Sequence, residues 1–226
     1  MEIQAAEYLT VALPKGKLFA PSAALLEKAG LCADGLEEKS RKLVITNEAD
    51  KVKFIIAKTA DVPTYVEYGA ADIGIIGKDV LAEAGQDVYE LLDLGFGRCH
   101  LMMAVLRHQK RPRLSDYVHT RVATKFPRLA EQFFTRQGMQ MEYIKLNGSI
   151  ELGPIVGLSE SIVDIVETGT TLRENELEEI ASLMPVTARL IANRVSFRLN
   201  FNRIHPLMET LRNLLEKGYT PCESSM

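Results

Sequence analysis

Chemistry is concentrated in one stretch of the 226-residue chain, ELGPIVGLSESIVDIVETGTTL at residues 151–172. An apolar strand expected at 162–166 carries a single acid, Asp164. It runs into Glu167, Thr168, Gly169, Thr170 and Thr171, and a helix is expected from about Leu172. The first turn of a helix offers unpaired N–H groups and a partial positive charge. Gly169 lets backbone approach a ligand, and the threonines add hydroxyl donors. Together these parts form a cradle for a phosphate monoester. Sugar hydroxyls donate to carboxylates, so Asp164 and Glu167 at the strand's carboxyl end suit a ribose. Threonine caps on an ordinary strand–turn–helix would account for any one hydroxyl. The acid, the Thr-Gly and the threonine pair in this order favour a phosphorylated-sugar site.

A second group of residues is basic. Lys15, Gly16 and Lys17 stand where the first expected strand ends, and two lysines around a glycine suit a polyphosphate. Arg41 and Lys42 precede the strand expected at 43–46. Lys58 follows the one at 52–57, and Lys125 follows the one at 122–124. Ligands of open α/β sheets collect at the carboxyl ends of strands, and these cations recur there. Asp61 stands beside one such end and is expected to cap a helix starting Val62-Pro63. The other glycines of DVPTYVEYGAADIGIIG, residues 61–77, read as structural: they end a helix and let strand and helix pack closely.

Other motifs are missing. No Gly-Lys-Ser/Thr ending marks a Walker loop, and Gly95-x-Gly97 lacks the third glycine of a dinucleotide fingerprint. Ser149 and Ser159 lack a nucleophile-elbow context. His100, His108, His119 and His205 have no metal spacing, so no protein-held metal is expected. Met102 and Met103 read as core residues.

The elements that must position these groups alternate. Strands are expected at 9–13, 43–46, 52–57, 72–76, 88–94, 101–105, 122–124, 142–146, 162–166 and 188–192. Helices are expected at 21–29, 62–68, 78–84, 128–137, 152–157, 172–183 and 206–217. The longer helices rest on apolar spacings of three and four, as in Leu177, Ile180, Ala181 and Leu183. Gly30, Gly69, Gly85, Gly138 and Gly218 each fall where a helix should end. This alternation predicts α/β architecture with largely parallel sheets. The polar, basic stretch 107–117 reads as a solvated excursion near the start of a second lobe, and 220–226 as a frayed end.

Composition narrows the class. Hydrophobic residues are 46% and charged residues 25% of the chain, as in an ordinary globular protein. The formal net charge of −3 gives no basic field for nucleic acid, so none is expected as a partner. The longest apolar run, 101–106, is too short to span a bilayer, so no membrane partner is expected. Cys32, Cys99 and Cys222 fit neither a disulfide framework nor a zinc site, and they suit a reducing cytoplasm. Glu2 and the lack of a long apolar stretch argue against a signal peptide.

Glu151, Gly157, Ser159, Ile162, Asp164, Thr168, Gly169, Thr171 and Leu172 match the signature of the ATP phosphoribosyltransferases. LPKGKL at 13–18, SRKL at 40–43, DVPTYVEYGAADIGIIGKDVL at 61–81, ATK at 123–125 and KLNGSIEL at 145–152 extend the similarity. The chain thus resembles the short form of that family from about Leu9 to Leu215. The family commonly has arginine where this chain has Lys17, which keeps the charge and loses a bidentate fork.

The resemblance implies a two-lobed α/β fold of the type II periplasmic-binding-protein kind, with the ligand cleft between lobes. Residues 1–96 with 185–226 would form the first lobe, and 97–184 the second, which carries the phosphoribosyl-pyrophosphate loop. The implied reaction transfers the phosphoribosyl group of phosphoribosyl pyrophosphate to adenine N1 of ATP. It releases pyrophosphate with Mg2+ and opens histidine biosynthesis in the cytoplasm. The implied partners are a second copy in a homodimer and a histidyl-tRNA-synthetase-like regulatory subunit in a hetero-octamer. In this scheme residues 168–171 take the 5-phosphate, Asp164 and Glu151 the ribose hydroxyls, and Lys15, Lys17 and Arg41 the pyrophosphate. Glu167, Lys58, Asp61 and Lys125 stand as further substrate contacts. The alternative is a two-lobed anion-binding module without turnover.

Overall fold

The computed structural model describes residues 7–38, 40 and 42–221. Arg41 and Cys222 lie outside these residues, as does most of the stretch 220–226. The described chain divides into two compact units, one from its residues up to 97 and from 187 onward and the other from 98–186.

The first unit runs β1 (Leu9–Pro14), α1 (Phe19–Lys28), β2 (Val44–Asn47), β3 (Val52–Ala57), α2 (Val62–Glu67), β4 (Ile73–Gly77), α3 (Lys78–Ala84) and β5 (Tyr89–Asp93). The second contributes β6 (Cys99–Leu106), β7 (Arg121–Thr124), α4 (Pro127–Arg136), β8 (Glu142–Lys145), α5 (Leu152–Ile155), β9 (Ser161–Val166), α6 (Thr170–Glu174) and β10 (Leu177–Val186). The chain then returns to the first unit with β11 (Ala188–Ala192), α7 (Arg194–Leu199) and α8 (Phe201–Glu216).

The first unit's sheet has the order β2-β3-β1-β4-β11-β5. Its centre, β3-β1-β4, is parallel, while β2 and β11 pair antiparallel to their neighbours. Successive residues of β1 face opposite sides. Val11 and Leu13 join the core with Phe54, Leu25 and Ile204, whereas Ala12 packs with Val62 and Val66 of α2. Small residues on that second face let α2 lie close. A Cβ placed on Gly74 would stand 2.9 Å from a methyl of Val66 and 3.1 Å from one of Val62. The glycine at this position therefore serves packing, as its sequence context suggested.

The second unit's sheet has the order β10-β6-β9-β7-β8. β7 is parallel to β8 and β9, while β6 and β10 run antiparallel. Both sheets are therefore mixed, not largely parallel. The core on one face joins Met102, Ala104, Ala123, Ile150, Ile162 and Leu172, and Met103 is likewise buried. Arg121 and Glu160 brace β7 against the start of β9. The Arg121 amide donates to Glu160 Oε2 at 2.8 Å, and Nη2 donates to Oε1 at 2.7 Å. These bonds hold the Glu160 carboxyl below the ordinary 4.5 of glutamate. A depressed carboxyl adds stability above its unfolded pKa and withdraws it as pH falls through the folded one. Glu160→Gln is therefore expected to lower the melting temperature near pH 7 and to narrow its drop as pH falls from about 5 through the depressed folded value of Glu160. Circular-dichroism melts across that range would show this; an unchanged drop would mean the pair contributes nothing.

Several expectations fail for local reasons. The helix expected over 172–183 is the short α6 followed by the ten-residue strand β10. Glu176 stops the helix at φ +57°. β10 then carries irregular pairings between Glu179 and Ala181 and between Ser182 and Met184. Each extra residue shifts the two-residue alternation by one, so a bulged strand imitates helical spacing. α7 was not anticipated, although Asn193 caps it by accepting from the amides of Val195 and Ser196 at 2.9 Å. α8 starts five residues before Pro206, not at it. The stretch 107–117 is mostly exposed but is pinned by Tyr117, whose ring is 1% exposed and whose hydroxyl accepts from the Arg111 amide at 2.7 Å. The five helix-ending glycines all have positive φ.

Candidate active site

In the second unit the parallel strands β7, β8 and β9 end at one edge of the sheet. Lys125 follows β7 there and is exposed. The preceding Thr124 is buried; its hydroxyl donates to the Val163 carbonyl at 2.6 Å and accepts from the Phe126 amide at 2.9 Å. This clamp sets the angle at which the chain leaves β7 beside β9. Glu151 is half-buried in the connection between β8 and β9, directly before α5. That connection packs tightly: a Cβ on Gly153 would meet Ser159 Oγ at 2.7 Å and Ala123 Cβ at 2.8 Å. Position 153 therefore has no room for a side chain beside Ser159 and Ala123.

Asp164 lies on β9 opposite Met102 of β6. Strand alternation puts it on the same face as Ile162 and Val166, so apolar side chains flank this carboxylate. It is half-buried, and its Oδ1 accepts from the Ile165 amide at 2.8 Å. Beyond Val166 the chain bends through Glu167 and Thr168 to Gly169, whose φ of +71° is the left-handed conformation that favours glycine. α6 begins at the next residue, two earlier than the sequence suggested, and no side chain caps it. Leu172 is 7% exposed and anchors the bend to the core. Thr168 and Thr170 bring their hydroxyls within 3.2 Å of each other, and both threonines and Thr171 face solvent.

Arg173 was not singled out in the sequence. Its Nη1 donates to the Thr168 carbonyl and its Nη2 to Thr170 Oγ1, both at 3.1 Å. The available signal was its spacing of three residues from Thr170, which places both on one helical face.

The remaining candidates belong to the first unit. Pro14 of β1 and Ala57 of β3 are register partners, so Lys15 and Lys58 leave the sheet side by side. The Lys15 amide donates to the Ala57 carbonyl at 2.8 Å, and Thr59 Oγ1 donates to the Lys15 carbonyl at 3.0 Å. Lys15, Lys17 and Lys58 are exposed. The Gly16 amide already holds an anion, the Glu38 carboxylate at 2.6 Å. Asp61 ends a tight turn, Thr59–Asp61, with helical backbone angles and makes no capping bond to α2. The expected cap fails because a capping residue needs extended angles. The structure thus gathers Lys125, Asp164, Glu167, Thr168, Gly169, Thr170 and Thr171 at one sheet edge. It gathers Lys15, Lys17, Lys58 and Asp61 at the edge of another.

The ATP phosphoribosyltransferase family model matches residues 58–213. The ATP phosphoribosyltransferase of Desulfitobacterium hafniense is 54% identical over 95% of this chain and 99% of its own length. That of Moorella thermoacetica is 50% identical over 93% of this chain and 94% of its own. Among solved structures, the ATP phosphoribosyl transferase (HisG:HisZ) complex from Thermotoga maritima superposes with a TM-score of 0.78 at 30% identity. That match covers 93% of this chain and 98% of the other. The periplasmic aliphatic sulphonate binding protein SsuA of Escherichia coli matches with a TM-score of 0.61 at 14% identity, over 95% and 75% of the two chains. The last match shows the periplasmic-binding-protein fold alone. With a family model over more than half its length and relatives of about 50% identity, this chain belongs to the ATP phosphoribosyltransferase family.

Proposed function

We propose that the chain transfers the phosphoribosyl group of phosphoribosyl pyrophosphate to adenine N1 of ATP and releases pyrophosphate, the entry step of histidine biosynthesis. The observation that carries this reading is the bend at 168–171, with left-handed Gly169 between solvent-facing threonines. Its amides and hydroxyls suit the 5-phosphate. Asp164 and Glu151 take the ribose hydroxyls, with Glu167 beside them. Lys15 and Lys17 take the pyrophosphate together with Arg41, a role the family resemblance alone supports. Lys58, Asp61 and Lys125 complete the substrate contacts.

Adenine N1 attacks the anomeric carbon as pyrophosphate departs. Positive charge grows on the ring and negative charge on the leaving oxygen, so positioning and electrostatics do the catalysis. A carboxylate near the ribose favours the first charge, and lysines favour the second. Magnesium is proposed to arrive with the pyrophosphate of the substrate. No three His, Cys, Asp or Glu side chains gather as a metal cage among the described residues. Magnesium bound through pyrophosphate needs at most one or two protein carboxylates.

The chain is further proposed to act in the cytoplasm, to dimerise, and to join a histidyl-tRNA-synthetase-like regulatory subunit in a hetero-octamer. The solved relative from Thermotoga maritima, a complex of two kinds of subunit, supports the last point. No helix among the described residues is long and apolar enough to cross a membrane. The purified chain, mixed with ATP, phosphoribosyl pyrophosphate and magnesium, with and without that partner, is expected to release pyrophosphate and form phosphoribosyl-ATP. Binding of the donor without pyrophosphate release under either condition would leave a binding module in place of the enzyme.

A further inference from the structure

The guanidinium of Arg173 folds back over the bend that precedes it. Nη1 reaches the Thr168 carbonyl and Nη2 reaches Thr170 Oγ1, each at 3.1 Å. The two contacts tie both sides of Gly169 to one planar group. The guanidinium also lies close to position 169, where a Cβ would stand 3.3 Å from Nη1.

Hydrogen bonding fixes what this does to the hydroxyls. Arginine has five N–H donors and no acceptor. Thr170 Oγ1 therefore accepts from Nη2 and keeps its own hydrogen to donate. Thr168 Oγ1 lies 3.2 Å away and can sit on either side of their shared bond. If Thr170 donates to Thr168, the Thr168 hydrogen is left over. If Thr168 donates to Thr170, the Thr170 hydrogen is left over. One hydroxyl hydrogen thus remains for a ligand oxygen in either arrangement, and the charged donor polarises the chain toward it.

We infer that Arg173 is a positioning residue for the donor's 5-phosphate: it braces the bend around Gly169 and presents a threonine hydroxyl as a donor to the phosphoryl oxygens. The inference rests on residues 168–171 being the phosphate cradle. Lysine keeps the charge of Arg173 but cannot span the Thr168 carbonyl and Thr170 Oγ1 with one rigid fork.

The test is steady-state kinetics on the full chain with its regulatory partner, for Arg173→Lys, Arg173→Gln, Thr170→Val and the Arg173→Lys/Thr170→Val double variant. Arg173→Lys is expected to raise KM for phosphoribosyl pyrophosphate about tenfold, the worth of one hydrogen bond, with KM for ATP and the melting temperature unchanged. Arg173→Gln should raise it at least as much. The double variant should be worse than Thr170→Val by clearly less than the full effect of Arg173→Lys, because one arm of the arginine acts through that hydroxyl while the other holds the Thr168 carbonyl. Wild-type behaviour of Arg173→Lys, or additive effects in the double variant, would overturn the inference, since either makes Arg173 a point charge acting by itself. Gly169→Val separates the two levels. If it raises the donor KM while Arg173→Lys does not, only the arginine's role falls. If it too leaves the donor KM unchanged, the phosphate cradle and the inference fall together.

Discussion

Replacing Gly169 with valine is expected to lower kcat/KM for the phosphoribosyl donor by about a hundredfold or more. Two costs add. A β-branched residue held at φ +71° is strained by roughly 1–3 kcal/mol, so the bend relaxes away from its present conformation. The new side chain also crowds the Arg173 guanidinium, whose Nη1 would lie 3.3 Å from its Cβ. The loss should fall mainly on the donor's KM, because the 5-phosphate is remote from the bond that breaks and its contacts serve ground state and transition state alike. Initial rates at varied donor concentration measure this directly, and a thermal melt checks that the exposed bend changes without unfolding the unit. A variant with wild-type donor KM would remove the phosphate from this bend.

Asp164→Asn should instead act on turnover. The carboxylate is held by the Ile165 amide and flanked by apolar neighbours of β9, where its charge is less screened than on an open surface. In the proposed role it accepts from ribose hydroxyls, at about 1.5–3 kcal/mol for each bond to a charged acceptor. Its charge also favours the oxocarbenium-like ring as pyrophosphate departs. Asparagine keeps the shape and one acceptor but loses the charge. The expected result is a fall in kcat of about a hundredfold with a smaller change in donor KM, and it is read from full kinetic curves. A drop confined to KM would make Asp164 a binding group only, and an unchanged kcat/KM would make it structural.

Much of this site can be read from residue order. Strand, acid, Thr-Gly and threonine pair are adjacent in the chain, and their geometry follows from local backbone preferences. Helix ends marked by glycine are equally local, as the five positive φ values show. Arg173 escaped notice because an arginine in a helix's first turns is ordinary by type, and only its folded-back conformation gives it a part. Asp61 shows the opposite failure: residue type and a following Val-Pro suggested a cap, but the turn Thr59–Asp61 left its backbone helical.

Local order along the chain was sufficient to determine α/β architecture, the glycine bend between β9 and α6 and the cations at strand ends, because each depends on neighbours a few residues apart. Pairing between distant segments decided the rest. β10 became a strand because β6 offered it a partner along its length, an interaction that outweighs the helical spacing of its apolar residues. The antiparallel return of β11 between β4 and β5, and the antiparallel placing of β6 against β9 and β10, came from pairings between segments far apart in the chain. No short window of sequence contains those contacts, and burial of both partners settles them only once the sheet forms.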